Sequence, residues 1–340
     1  MRTRYSDDQQ VVDDVFAAFF DREAGIEKVR AAADLGHDPD LWARLAETGA
    51  PGMALPASAG GDAASLLDLA VVIRQHGRHM APSPLIEHSV AARLLATIGA
   101  DEMVAPLAAG ERIATIALRP AVGGSSRLVP AGAVADIVVG FDGESIVVGA
   151  DEPPGTARPN TSDLPLADRD LSRATTVASG PAATAAWSRA RAEWKALTAV
   201  AYTGLAARAI EIGVDYVGDR RQFDVPVGSF QAVQHGLADA ATHNEGAILL
   251  ANRATWALET LRDDGERLAS MALLFSAETA RHCTDRSLHY HGGYGFAEEY
   301  DIQLFYRRAA GWLLQLGDPA TEYAWLADQE LGPRIHRDVA

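Results

Sequence analysis

The chain has 340 residues, 48% hydrophobic and 22% charged, the composition of a folded globular protein of two or three domains. Thirty basic against 46 acidic residues leave a net charge of −16, which argues against nucleic acid and anionic membrane as main partners but not against an anionic ligand held by local arginines. There is no run of about 18 apolar residues, residues 1–20 carry Asp7, Asp8, Asp13 and Asp14 in place of a secretory signal, and the single Cys283 fits a reducing cytoplasm as a small packing residue.

Residues 7–115 read as helices. Val11, Val12, Val15, Phe16 and Phe19 recur at helical spacing, and Asp40 is placed to cap a helix starting at Leu41-Trp42. Gly49, Pro51, Gly52, Pro56, Gly60 and Gly61 mark a loop. A further helix is predicted from about Ala64 to His76, ended by Gly77 and barred from continuing by Pro82 and Pro84. Ile113–Leu118, Ala135–Val139 and Ser145–Val148 are short β-prone runs, with a hairpin signal at Asp142-Gly143. From Pro181 onward the pattern is helical again, over about 182–217, 229–264, 266–288 and 299–313. The expected fold is mainly α with a small central β domain, divided into a helical domain (1–112), a β domain (113–180) and a helical bundle (181–340).

Two segments carry the chemistry. In Tyr216-Val-Gly-Asp-Arg-Arg-Gln-Phe-Asp-Val-Pro-Val-Gly-Ser-Phe-Gln-Ala-Val-Gln-His235, two helical patterns flank a tight break bracketed by a cation (Arg220), an aromatic (Phe223) and an amide (Gln231). A guanidinium is always charged and donates two parallel hydrogen bonds, so this set suits an extended anionic, partly aromatic ligand such as a dinucleotide. In His289-Tyr-His-Gly-Gly-Tyr-Gly-Phe296, the bare backbone of Gly292 and Gly293 lets amides approach a phosphate. Each piece has a bland reading: a surface arginine, a glycine turn between helices, and in His291 a satisfied helix-end histidine.

Together the segments resemble the flavin-binding segments of the acyl-CoA dehydrogenase family, with His289 where the family usually has Gln. Leu41-Trp42 through Gly49, then Gly52, Leu55-Pro56, Gly60-Gly61, Asp68-Leu69-Ala70 and His76-Gly77-Arg78-His79-Met80-Ala81-Pro82 follow the family's N-terminal pattern; residues 119–180 match it poorly. The resemblance implies a helical domain, a β domain and a C-terminal four-helix bundle, with FAD as cofactor and an acyl-CoA substrate. It also implies an acceptor of the electron-transfer flavoprotein type. By resemblance Arg220 contacts the FAD pyrophosphate, Phe223 packs on the cofactor, Gln231 hydrogen-bonds it, and His289, Gly292 and Gly293 complete the part of the site that reaches across a subunit interface.

The rest of the family's site is degraded. Its flavin-facing loop corresponds to Leu118-Arg119-Pro120-Ala121-Val122-Gly123-Gly124-Ser125-Ser126, without the acid. The two positions at which family members place the catalytic Glu fall on Leu316 and Trp194, and neither side chain accepts a proton. The expectation is therefore the shorter, non-catalytic subunit of a heteromeric (α2β2) acyl-CoA dehydrogenase, working with a larger homologous subunit on an acyl group of possible sterol origin. Two alternatives stay open: a homo-oligomeric enzyme with a displaced base, Asp318 or Glu193, and a non-enzymatic scaffold.

Overall fold

A computed structural model of the chain describes residues 3–332. Ser6 opens the first helix with a capping box: its hydroxyl accepts the Gln9 N–H and the Gln9 side chain accepts the Ser6 N–H. Helix α1 (Asp7–Glu23) buries Phe16, Phe19 and Phe20 along one stripe. After α2 (Ile26–Ala31) comes α3 (Pro39–Glu47), capped by Asp38, whose carboxylate accepts the Leu41 N–H at 2.8 Å. Asp40, the expected cap, lies in the first turn instead. Pro39, with its fixed φ and missing N–H, suits the first helical position and moves the start upstream.

Helix α4 (Leu66–Arg78) starts at a second capping box, Ser65 with Asp68, and runs past Gly77, which the sequence marked as its end. Gly77 is glycine for another reason. A Cβ there would fall 2.1 Å from the Ala201 carbonyl oxygen of the helix crossing it. Helices α5 (Leu85–Thr97) and α6 (Asp101–Ala108) complete the N-terminal layer.

Six strands follow: β1 (Ala114–Ile116), β2 (Ser125–Val129), β3 (Ile137–Phe141), β4 (Ser145–Gly149), β5 (Ala167–Asp170) and β6 (Thr175–Ser179). The main sheet runs β1-β3-β4-β6, with β1 and β3 parallel and the other pairs antiparallel; β2 and β5 form a separate ribbon. Asp142-Gly143 is the predicted hairpin between β3 and β4, and the Asp142 carboxylate accepts the Glu144 and Ser145 N–H groups. β3 is buried on both faces. Ile137, Val139 and Phe141 join the main core, and Val138 enters a small second core with Ala117, Val129, Val147 and Leu171. β2, β5 and β6 escaped the sequence reading because Ser-Ser-Arg, Ala-Asp-Arg-Asp and Thr-Thr-Val carry no apolar alternation.

The C-terminal half consists of α7 (Pro181–Asp219), a short hairpin of β7 (Arg221–Gln222) and β8 (Val225–Pro226), then α8 (Gln231–Glu259), α9 (Gly265–His291), α10 (Ile302–Gly311) and α11 (Pro319–Leu331). α11 was not anticipated: its one buried side chain is a charge, Glu322. Among the described residues α7 alone is long and apolar enough to cross a bilayer, and 67% of that stretch is buried inside the protein.

Buried histidines tie the layers together. His88 on α5 accepts the Ala114 N–H at Nδ1 and lies 3.1 Å through Nε2 from the Leu107 carbonyl, which fixes it neutral. His76 on α4 likewise donates through Nε2 to the Ser83 carbonyl at 3.0 Å. Burial pushes both down to about 4, well below the ordinary histidine value. The unfolded chain takes up these protons near pH 6.5 and the folded chain does not, so stability is complete above that value and falls as pH drops toward 4. Each histidine contributes a slope of about 1.4 kcal/mol per pH unit in that window. Denaturant unfolding at pH 7, 6 and 5 should show this decline, and His88→Gln should remove about one proton from the slope. A flat profile between pH 6.5 and 4.5 would refute the assignment.

Candidate functional site

Helices α7 and α9 end, and α8 begins, at the same end of the bundle. The Tyr216 and His291 rings stack with centroids 3.9 Å apart, the Tyr216 hydroxyl donates to the His291 carbonyl at 3.4 Å, and the Tyr290 hydroxyl donates to the Val233 carbonyl at 3.5 Å. These contacts bring segments 216–235 and 289–296, 54 residues apart at their nearest, onto one surface. Sequence reading missed the aromatic joint of Tyr216 and Tyr290. His291 proves to be a satisfied helix-end histidine: it is buried, its Nδ1 lies 2.7 Å from the Ser287 carbonyl, and burial lowers its proton affinity.

On that surface Arg220 caps α7 and is exposed, and among the described residues its side chain has neither hydrogen-bond nor ion-pair partner. Phe223 stands at the tip of the β7–β8 hairpin, 89% exposed. Phe223 and Asp224 have φ of +54° and +65°, the signs of a two-residue type I′ turn. Aspartate tolerates that backbone; a phenylalanine is strained there and exposes its ring as well. Phe230 meets the Phe223 ring edge-on at 6.4 Å.

Gln231 is the first residue of α8, and it is exposed. No side chain caps this helix, so the first backbone N–H groups of a 29-residue helix face outward beside Gln231. His289 is exposed on the last turn of α9. Gly292 follows with φ +62° and ψ −142°, a backbone that L side chains avoid. At Gly293 nothing in the chain lies within 4 Å of where a Cβ would stand, so crowding inside the molecule does not require glycine. Tyr294 and Phe296, in the turn after Gly292, are 56% and 70% exposed. All six residues singled out from sequence thus lie at one end of the bundle, on an open surface rather than within an enclosed cleft. A cation, a bare helix N-terminus, a glycine turn and exposed rings are a chemical match for a phosphorylated aromatic ligand, provided that a second surface closes over it.

The expected base positions lie elsewhere, on α7 and before α11. Trp194 is 0% exposed, and its indole Nε1 donates to Glu87 Oε1 at 3.2 Å. Leu316 packs on the main core. Glu193 is buried and gripped by Arg93 at 2.9 Å and by Arg189, one turn back on α7, at 3.0 Å. Asp318 is the N-cap of α11, accepting the Ala320 N–H at 2.9 Å. Both carboxylates therefore have structural employment. In the degraded loop, Arg119 reaches across to donate to the Leu314 carbonyl at 3.1 Å, and Ser125 and Ser126 are spent on pairing β2 with Asp170 and Arg169 of β5. Cys283 is buried and its thiol pushed up to about 12, as a packing residue should be. No group of three or more potential metal ligands occurs among the described residues.

Residues 6–110 match the model of the acyl-CoA dehydrogenase N-terminal domain, and residues 188–316 that of the C-terminal domain. The acyl-CoA dehydrogenase IpdE2 of Mycolicibacterium smegmatis is 31% identical over 92% of this chain and 96% of its own length. Among solved structures, the steroid ACAD Tcur3481-Tcur3483 (G363A variant) aligns with TM-score 0.85 at 27% identity, over 95% of this chain and 98% of that one. The ChsE4-ChsE5 complex from Mycobacterium tuberculosis shares the fold, with TM-score 0.84 at 23% identity over 98% of this chain and all of that one. With both ends of the sequence matched and the helix–sheet–bundle order observed, the chain belongs to the acyl-CoA dehydrogenase family, oxidoreductases that use FAD.

Proposed function

We propose that this chain is the cofactor-gripping, non-catalytic subunit of a two-component acyl-CoA dehydrogenase. The observation that carries the reading is a contrast within one molecule. The ligand-ready end of the bundle is open, while both base positions hold apolar side chains that accept no proton, Trp194 fully buried and Leu316 half-buried against the core. Two structural relatives are themselves named as pairs, Tcur3481-Tcur3483 and ChsE4-ChsE5, which supports a larger homologous partner. The steroid label of the first supports an acyl-CoA with a sterol-derived acyl group, and an electron-transfer flavoprotein is the acceptor this reading favours.

The residues present fit FAD. Arg220 offers an uncommitted fork for the pyrophosphate, Gln231 and the first N–H groups of α8 offer donors beside it, and Phe223 offers a ring face. His289 adds a donor, and the bare backbone at Gly292 and Gly293, where no atom lies within 4 Å of a Cβ, leaves room for a phosphate to approach, although the Gly292 N–H itself is spent on the His289 carbonyl. When bound in the partner, FAD supplies the hydride acceptor for α,β-dehydrogenation. This chain binds and orients the phosphate end and excludes water from it with Phe223, Phe230, Tyr294 and Phe296. The proton at the substrate's Cα is left to a carboxylate of the partner.

Arg220→Ala should lower the FAD content of the assembled complex, because one charge-assisted contact is worth about 1.5–3 kcal/mol, or roughly ten- to a hundredfold in affinity. Flavin absorbance per complex on serial dilution measures it; unchanged occupancy removes Arg220 from the site. Phe223→Gly should relieve the strain of the positive φ and lose flavin, whereas Asp224→Gly, at a residue that already tolerates that backbone, should leave both stability and FAD content little changed. Equal flavin retention in the two variants would make Phe223 a mere turn residue. Asp318→Asn should leave turnover of the reconstituted complex within a few-fold, where loss of a true base costs about 10²–10⁴-fold. A thousandfold drop with FAD still bound would overturn the subunit reading in favour of a homo-oligomeric enzyme.

A further inference from the structure

Trp194 is among the largest fully buried side chains of the protein and stands at one of the two family positions for the base. A base at either position has to reach the same proton, so the side chains at both positions border the same substrate-binding space. In this chain the first of these positions is closed by a fully buried side chain. Trp194, Thr198 and Tyr202 form one stripe along α7 at helical spacing, and all three are essentially inaccessible. At the near end the indole donates to Glu87 on α5. At the far end the Tyr202 ring meets Trp312 at 5.3 Å, four residues before Leu316.

The lining is too polar for an ordinary apolar core. Glu87 is a buried carboxyl with the indole N–H as its side-chain donor, and desolvation raises its proton affinity. The Thr198 hydroxyl, one turn along from Trp194, is fully buried without a partner. Arg308 is buried nearby, donating through Nε to the Ser162 carbonyl at 2.8 Å with its guanidinium 5.6 Å over the Trp312 ring. Orphaned or thinly satisfied buried polar groups are costly, and a core that had only to pack would replace them with aliphatic side chains. Their presence fits a cavity that once held a polar-headed guest.

We propose that the Trp194 indole, held in place by Glu87, is an internal plug that fills the acyl-binding volume of this chain and shuts its own substrate site. The proposal rests on the non-catalytic reading and names the side chain that enforces it. It makes Trp194 the determinant of whether the chain accepts a thioester, independent of the cofactor-gripping end about seven helical turns further along α7.

The test is titration of the isolated chain with butyryl-CoA, octanoyl-CoA and free CoA by calorimetry, for the wild type, Trp194→Ala, the milder Trp194→Leu, and Trp42→Ala as a control cavity at a buried tryptophan of α3 outside this stripe. The wild type should bind all three equally weakly, with no gain from acyl length. Trp194→Ala, checked for folding by circular dichroism, should bind octanoyl-CoA at least tenfold more tightly than butyryl-CoA, and Trp194→Leu should show a smaller preference in the same direction. Trp42→Ala should show none. A folded Trp194→Ala without acyl-length dependence overturns the plug, and so does a wild type that already prefers octanoyl-CoA. If Trp194→Ala and Trp194→Leu do not fold, the wild-type titration still decides. The subunit reading fails separately: it falls if the isolated wild-type chain is yellow and reduces a dye with acyl-CoA, whatever the tryptophan variants do.

Discussion

The structure hangs on the crossing of α4 and α7, where backbone touches backbone. A Cβ on Gly204 would lie 2.0 Å from the Arg74 carbonyl oxygen, and one on Gly77 would lie 2.1 Å from that of Ala201. Each helix thus places its glycine opposite the other's chain, and no side chain larger than hydrogen fits at either point. The contact fixes α7 against the N-terminal layer. Because α7 is 39 residues long, it also fixes what lies at its two ends. In its first half it carries Glu193, Trp194 and Lys195; at its end, Arg220 and the hairpin. A rigid rod about 58 Å long lets one crossing set the geometry of both.

Three consecutive residues show how α7 distributes its ties. Glu193 binds Arg93 of α5, Trp194 binds Glu87 of the same helix, and Lys195 binds Glu322 of α11 and Ser270 of α9. Successive side chains turn by about 100°, so three neighbours address three directions. The Lys195–Glu322 pair is buried and the ammonium also sits 5.1 Å over the Trp325 ring. A pair like this adds little net stability over an apolar pair, yet breaking it strands a buried charge. Its effect is to specify where α11 docks. That explains why α11 hid from the sequence: its anchor is an ion pair with a residue 127 positions away, and not an apolar stripe.

Legibility followed the same division. The long helices of the bundle were readable because their alanine- and leucine-rich faces repeat at the helical period, and β3 and β4 because they are short apolar runs with a hairpin between them. Asp40 and Gly77 were misread because the sequence shows residue types and not their neighbours: Pro39 took over the helix start, and Gly77 serves a crossing partner far along the chain. Among the candidate site residues, Arg220, Phe223, Gln231, His289, Gly292 and Gly293 were singled out by motif spacing, and the fold brings them to one end of the bundle. The helix-end role of His291 was legible too, but its stacking on Tyr216 and the contact of Tyr290 with Val233 were not, since a joint between the ends of two helices leaves no periodic signal. Nor did the sequence tell that Phe223 sits at positive φ.

That last point bears on how the two halves of the molecule divide their work. Folding alone favours glycine or asparagine at the hairpin tip and an aliphatic side chain where Glu87 lies buried. The chain keeps an exposed, strained phenylalanine in one place and a buried carboxyl in the other. The first departure faces outward, where a ring can meet another molecule. The second faces inward, where an indole has already filled the space. A protein that carries the cost of strain at its open end and fills its closed end has its binding surface outside its own core. On the proposed reading, its contribution to catalysis is then the shape and charge that it presents to a partner's cofactor.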